Sequence, residues 1–424
     1  MNERQDRIHS FNPGYSIWFT LRSRSPMLSH LLSAVKPSPT LSITKRAADM
    51  RRRGIDVVSL SQGESDFPTP EHIREAAKRA IDSGATRYTD VDGTLELKEA
   101  IVRKFWRDNN LSYDVSEISV GTGGKQVIFN ALFASVNPGD EVIIPAPYYV
   151  SYPDMVRLTG AVPIEVKCDE AQGFKITAQQ LREAITPRTK WLILNSPGNP
   201  TGAGYSRAEL NALAVELVRH PHVLVMTDDI YEHIRYDGWQ FTTIGSEAPE
   251  LRERILTVNG MSKAYSMTGW RIGYAGGPRS LIEAMATVQS QSTSNPCSVS
   301  QAASQVALDS PMDFITERNH AFQRRRDTAL TKFNAIDGLR CRRPEGAFYL
   351  FPSCEGLLGR ATPEGKVLQN DLDLCQYLFE HAHVAVVPGS AFGVDGHFRI
   401  SFATSDERLA LGCDRISEAC ARLV

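Results

Sequence analysis

At 424 residues the chain exceeds the roughly 250–300 that a single hydrophobic core can serve, so two lobes are expected. An apolar fraction of 42% and a charged fraction of 23% match ordinary soluble globular proteins and exclude a fibrous or largely disordered architecture. The formal net charge of −2, with arginines dispersed along the chain, supplies no global field to gather nucleic acid.

Residues 1–26 contain arginines but no apolar h-region, and Glu3 and Asp6 count against a transit peptide. This stretch reads as an N-terminal extension in which nothing looks packed, and translation from Met27 suits the sequence as well as translation from Met1. No apolar run reaches the roughly 20 residues that span a bilayer, so no membrane association is expected. Seven scattered cysteines without a Cys-x-x-Cys pair or a His-rich spacing suggest reduced thiols in the cytoplasm and no metal site.

From Asp56 onward, β-branched runs alternate with amphipathic segments, the pattern of an α/β unit with a largely parallel sheet. The β-like Ile118–Val120 leads through Gly121-Thr-Gly-Gly-Lys125-Gln into a helical Val127–Ala134. Backbone amides at such a helix start point at an anion, although most glycine clusters are simple turns. Strands are predicted at Glu141–Pro145, Ala161–Val166, Trp191–Asn195, Val223–Asp228 and Ile255–Asn259. A helix is predicted at Arg207–Arg219, where Leu210, Leu213, Ala214 and Leu217 recur at helical spacing. Trp191–Asn195 and Val223–Asp228 are nearly continuous apolar runs with polar ends, as buried parallel strands are, and ligands gather at the carboxyl ends of such strands. After Gln301 the texture changes: a long helix over Ala302–Phe333, short strands near Phe348–Phe351 and Val384–Val387, and a last helix over Leu409–Leu423. Glu355–Asn370, rich in Gly, Thr, Pro and Lys, reads as a surface excursion.

The strongest chemical signal is Ser262-Lys263-Ala-Tyr-Ser-Met-Thr-Gly-Trp-Arg271-Ile-Gly273, directly after an apolar strand. A lone lysine is nearly always a solvated charge. At the carboxyl end of a buried strand, however, desolvation lowers its pKa, and a neutral amine attacks an aldehyde. Arg271 is a fixed cation suited to a phosphate, and Gly269 and Gly273 are expected to let the backbone turn tightly around it. Asn195-Ser-Pro-Gly-Asn199-Pro-Thr-Gly and Thr-Asp228-Asp-Ile-Tyr231-Glu-His each follow a buried strand; read blandly, they are a Pro/Gly connection and a helix cap.

Together these separated motifs, in this order, resemble the fold-type I pyridoxal-phosphate enzymes: the class I/II aminotransferases, and within them the bacterial aspartate aminotransferase subgroup, from about Met27 to the C-terminus. The resemblance implies a large pyridoxal-phosphate-binding domain over 74–309 with a mostly parallel seven-stranded sheet flanked by helices. It also implies a smaller α+β domain over 310–424, with 27–73 as an N-terminal arm and part of that domain. It makes Lys263 the lysine that carries pyridoxal 5'-phosphate covalently and moves the substrate Cα proton. Asp228 becomes the partner of the ring nitrogen, with Asn199 and Tyr231 on the ring oxygen. The phosphate falls to Arg271, Gly123, Gly124 and the amide of Lys125, and to Tyr88 of a neighbouring subunit, so a homodimer with shared sites is implied. Tyr149 stands where the subgroup commonly stacks a tryptophan on the cofactor.

For the substrate, Arg399 in Phe-Arg-Ile-Ser-Phe resembles the arginine that grips the α-carboxylate, Gly63 in Gln-Gly-Glu-Ser-Asp-Phe resembles the backbone position facing the same group, and the resemblance implies substrate contacts for Tyr149 and Asn199. Ser65 replaces the family's usual proline, which is expected to loosen that loop. Lys125 and Thr40 resemble contacts to a distal carboxylate. A buried ammonium left unpaired by an apolar substrate would cost free energy, so the expected reaction is aspartate:2-oxoglutarate transamination. Aromatic or prephenate transamination is the alternative, followed by a lyase, decarboxylase or synthase of the same fold. A transcription regulator with an aminotransferase-like domain would need a longer N-terminal module than 1–26.

Overall fold

The computed structural model describes residues 29–35 and 39–424, without the side chains of His30 and residues 39–41. The expectations for residues 1–26 and for the contact made by the Thr40 side chain lie outside the described residues.

Seven strands form the central sheet in the order Ile118–Gly121, Gly273–Gly276, Ile255–Gly260, Leu224–Asp228, Thr189–Asn195, Glu141–Ala146 and Val162–Lys167. All neighbours are parallel except Gly273–Gly276, which runs antiparallel to both strands beside it. Strict side-chain alternation lets each central strand feed two cores. Val142, Ile144, Trp191 and Ile193 pack with Val127, Ile128, Ala131 and Leu132 of the helix Gly124–Ser135. Ile143, Leu192 and Leu194 face the other way, toward Leu210, Leu213, Ala214 and Leu217 of the helix Arg207–Val218. That helix starts where Ser206 and Glu209 exchange hydrogen bonds with each other's backbone amides, satisfying two otherwise orphaned donors. The five predicted strands and this helix are present, each within a few residues of its expected ends. Val162–Lys167, at the sheet edge, is only partly buried.

Gly273–Gly276 was not among the predicted strands, because Gly-Tyr-Ala-Gly carries no β-branched run. Gly269 does lie in a turn, closed by the Trp270 amide on the Met267 carbonyl at 3.3 Å, but the expectation that Gly273 turns the backbone is corrected. Nothing lies within 4 Å of the place a Cβ would take on Gly269, whereas a Cβ on Gly273 would collide with the backbone of Gly123 and Gly124. Gly273 therefore serves close approach of two backbones, and the left-handed residues between Ser262 and Gly273 are Ser266 and Arg271, at φ 52° and 58°.

Beside the sheet, Tyr349–Leu350, Phe398–Ser401 and Val387–Pro388 form a three-stranded antiparallel sheet. Val58–Ser59, from far upstream, pairs in parallel with Val384–Ala385. The predicted strand Val384–Val387 is thus split between two sheets, with Val386 at the crossing. The predicted long helix Ala302–Phe333 is two helices, Ser298–Asp309 and Asp313–Asn334. Pro311 between them lacks an N–H and disfavours helical geometry in the residue before it. The last helix is Asp406–Cys420, capped by Ser405. Glu355–Asn370 is no mere surface excursion, since Leu357 and Leu368 are fully buried and backbone hydrogen bonds join Gly359 and Arg360 to Leu368.

Two buried polar clusters tie these parts together. Arg318, on Asp313–Asn334, donates to the carbonyls of Pro68 (2.6 Å) and Ala264 (3.3 Å) and to Ser266 Oγ (3.1 Å). Behind the sheet, the wholly buried Lys104 donates to Glu232 and to Asn109 Oδ1 (2.6 Å), while Asn259 donates to Glu232 at 2.8 Å. Replacing Lys104 with Met should leave Glu232 buried without its principal counter-charge. We expect an unfolding free energy lower by about 3–5 kcal/mol, read from denaturant midpoints; a loss below 1 kcal/mol would show that the pair contributes little net stability.

Candidate active site

The carboxyl ends of the parallel strands open into a cavity of about 400 Å³, lined by Gly63, Gly124, Lys125, Tyr149, Asn199, Asp228, Tyr231, Lys263 and Arg271. All nine were predicted as site residues from the sequence. Glu64, Ile128, Tyr152, Asn195, Ile230, Ser262 and Thr268 complete the lining.

Lys263 leaves the strand Ile255–Gly260 by three residues and points its amine into the cavity, donating to the carbonyl of Gly63 at 2.7 Å. Burial, with the nearby Arg399 cation adding to it, pushes the ammonium down to about 8. An amine held by one carbonyl, and by no carboxylate among the described residues, is prepared to become a nucleophile. Opposite it, Asp228 ends its strand buried, and burial pushes its carboxyl upward against the hydrogen bond from Tyr152. Asp229, by contrast, is absent from the cavity wall, accepts a hydrogen bond from Thr227 at 2.6 Å and is pushed up to about 7 by burial. The alternation of the strand thus separates two adjacent aspartates, and it is Asp228 that reaches the cavity.

At one end, Gly123 (φ 90°) precedes the helix Gly124–Ser135, whose first amides are free to meet an anion. The Arg271 guanidinium closes over that helix start, donating to the carbonyls of Thr268 (2.9 Å) and Thr122 (3.3 Å), and a Cβ on Gly123 would collide with it. Helix terminus and guanidinium together form a cradle for a doubly charged phosphate.

At the other end, Arg399 lies one layer behind the cavity wall. Its Nη1 donates to Asn199 Oδ1 (2.9 Å) and its Nη2 to the carbonyl of Ser61 (2.6 Å), while its buried Nε has no partner. No carboxylate among the described residues pairs with it. A buried guanidinium without a counter-ion is costly unless an anion arrives to complete it.

Two expectations change in the structure. Lys125 is exposed on this single chain, 5.4 Å from the centre of the Tyr149 ring, so the cost of an unpaired buried cation attaches to Arg399 instead. Ser65 does not simply loosen its loop, because its Oγ accepts from the amide of Phe67 at 3.2 Å and restores a local turn. Tyr88 is 90% exposed and is not part of the cavity wall of its own chain.

Three polar residues escaped the sequence reading. Tyr152, 2% exposed, donates from its hydroxyl to Asp228 Oδ2 at 2.6 Å. Its spacing, three residues beyond Tyr149 at the start of a helix, was the available signal. Asn195 donates to the carbonyl of Asp228 (2.7 Å) and accepts from the amide of Asn199 (2.8 Å), fixing one loop on the other. Tyr349 sits behind Tyr231 with the two hydroxyls 2.7 Å apart, and no local pattern marks it.

Comparison with known proteins follows this geometry. Residues 55–416 match the profile of aminotransferase class I and II. An aspartate aminotransferase of Rhizobium meliloti strain 1021 is 57% identical over 392 residues, 92% of this chain and 96% of the relative. An aspartate/prephenate aminotransferase of Cereibacter sphaeroides is 54% identical over 396 residues, 93% of this chain and 99% of the relative. Among solved structures, the aspartate aminotransferase from Rhizobium meliloti superposes with a TM-score of 0.91 at 56% identity, covering 94% of this chain and 99% of the other. That of Thermus thermophilus with maleate gives 0.87 at 44% identity, covering 92% and 99%.

The depressed ammonium has a measurable consequence. Capture of an aldehyde by the ligand-free protein at Lys263, followed by borohydride fixation and peptide mapping, should be half-maximal near pH 8 and approach its plateau about one unit above that. It should fall about tenfold for each unit below the midpoint, because the reactive amine is neutral. A plateau beginning near pH 10, as for a solvated lysine, would show that the cavity does not desolvate it.

Proposed function

The chain belongs to the class I and II aminotransferases, and from that premise we propose that it moves an amino group between aspartate and 2-oxoglutarate. It is a pyridoxal 5'-phosphate enzyme, as its family is. The residues present fit that cofactor on three grounds. A desolvated amine stands in the cavity, a glycine-lined helix start and a guanidinium form an anion cradle, and a buried carboxylate has only a tyrosine hydroxyl and backbone for partners. The observation that carries the reading is the Lys263 amine, held in that cavity by a single carbonyl.

When bound, the cofactor supplies a reactive aldehyde carbon and an aromatic ring that accepts electron density from the substrate's Cα. The chain's own groups do the rest. Lys263 Nζ would hold the cofactor at its aldehyde carbon and, once the substrate amine takes its place, would move the proton from the substrate Cα to that carbon, and in the second half of the reaction the other way. Asp228 holds a proton on the ring nitrogen; Tyr152 keeps that carboxylate ionised against the cost of burial. Tyr231 and Asn199 would hold the ring oxygen, and Tyr149 would pack against the ring. Arg271, Gly123, Gly124 and the Lys125 amide hold the phosphate. Arg399 takes the substrate α-carboxylate through two N–H groups, beside the Gly63 backbone. We read 74–309 as the cofactor-binding unit and 27–73 with 310–424 as the smaller unit. The joint between Ser298–Asp309 and Asp313–Asn334 falls at that boundary.

Aspartate as donor is supported by the names of the relatives and by the maleate, a four-carbon dicarboxylate, in the Thermus thermophilus structure. On this chain Lys125 and Thr40 are the candidates for the distal carboxylate. Prephenate is the second reading, because relatives at 51–54% identity are named for both substrates. We further propose a homodimer: Tyr88, 90% exposed, then reaches the phosphate of the partner's site. We place the enzyme in the cytoplasm, a reading supported by its seven free cysteines, six of them buried.

Incubated with aspartate and 2-oxoglutarate, the holoprotein should accumulate glutamate; ammonia or carbon dioxide as the main product would reject transamination. Arg399→Lys, which keeps the charge and loses the fork, should lower kcat/KM by roughly 100-fold. Sedimentation should give twice the 47.0 kDa chain mass; a stable, fully active monomer would refute the shared site.

A further inference from the structure

We propose that Tyr349 is a positioning residue that fixes the direction of the Tyr231 hydroxyl, making Tyr231 a donor toward the cofactor's ring oxygen. This inference rests on the reading of Tyr231 given above. Tyr349 lies in the small antiparallel sheet, paired with Ser401 and so one strand away from Arg399. It is 1% exposed, and its ring packs at 4.6 Å beneath the Arg399 guanidinium. Its hydroxyl reaches across to the larger unit and stands 2.7 Å from that of Tyr231, which is itself 3% exposed. The Gly63 backbone crosses close by, so that a Cβ there would stand 2.7 Å from the Tyr349 hydroxyl.

Each tyrosine hydroxyl carries one proton, and a pair at this distance shares a single hydrogen bond, so one member donates and the other accepts. If Tyr231 spent its proton on Tyr349, it could offer only lone pairs to the ring oxygen, which is an acceptor as well. The cofactor is served only when Tyr349 donates. The Arg399 cation over the Tyr349 ring favours that direction, because it makes the Tyr349 hydroxyl the stronger acid of the two. One side chain then joins the carboxylate-binding arginine to the hydroxyl that faces the cofactor, through ring and hydroxyl respectively.

The test uses holoenzyme and the visible absorbance of the lysine-bound cofactor as a function of pH. Linked to the cofactor, the Lys263 nitrogen shares its proton with the ring oxygen, and a donor on that oxygen weakens the sharing. Tyr231→Phe should therefore raise the midpoint of the titration, and Tyr349→Phe should raise it by a smaller amount, about 0.5–1 unit, the scale of one hydrogen bond. The double variant should titrate like Tyr231→Phe alone, since Tyr349 acts only through Tyr231. A midpoint within 0.1 unit of wild type in Tyr349→Phe, or additive shifts in the double variant, would overturn the proposal. Borohydride fixation of the cofactor to Lys263, with one cofactor per chain in each variant, keeps the outcomes apart. Fixation with no shift rejects the role of Tyr349 alone, whereas failure of fixation in the wild type removes the functional reading and this proposal together.

Discussion

The structure depends on drawing two cations, Lys263 and Arg399, into its interior without giving either a carboxylate partner among the described residues. Each is held by neutral oxygens instead: Gly63 O for the lysine, Ser61 O and Asn199 Oδ1 for the arginine. Both cations lie within each other's field, and their mutual repulsion adds to desolvation in pushing the lysine down to about 8. In stability terms the arrangement is costly, and its use is chemical. On the proposed reading, anionic groups from outside the chain would complete the electrostatics, and an ammonium lowered to about 8 gives up its proton readily enough to form and break bonds.

That cost is carried by polar groups packed around the cavity. Asp228 sits at the end of a central strand, where burial pushes its carboxyl upward, and the Tyr152 hydroxyl opposes this directly. Asn195 pins the Asn199 loop to the backbone of Asp228. Arg318 stitches the segment after Lys263 to Pro68, and Lys104 with Glu232 and Asn259 closes the space behind the sheet. Apart from the Asn195–Asn199 contact, these links join residues 27 or more apart in sequence.

Much of the site was legible because its residues occur as contiguous motifs after apolar strands. Ser262-Lys263, Asp228 and Tyr231, Asn199, and the Gly123–Lys125 turn all follow recognisable runs, and all but Gly123 line the cavity, with Gly123 held against Arg271 at its edge. What stayed hidden has specific causes. Gly273–Gly276 is a strand whose composition says otherwise, because its place between two partners demands small residues where backbones cross. Lys125 was read as a buried cation and is exposed, since a residue type carries no record of its accessibility.

The sequence by itself determined an α/β class with five of the central strands, because strand burial and turn chemistry are local properties of the chain, and its resemblance to the class I/II aminotransferases pointed to the residues of the site. Only the tertiary structure decided which neutral groups hold those residues. Tyr152 on Asp228, Tyr349 on Tyr231, Ser61 on Arg399 and Gly63 on Lys263 are pairings across 76, 118, 338 and 200 residues. A hydrogen bond over such a separation exists only once the sheet, the helices and both ends of the chain have packed. Distance, burial and the direction of a shared proton are properties of that packing, and no local pattern encodes them.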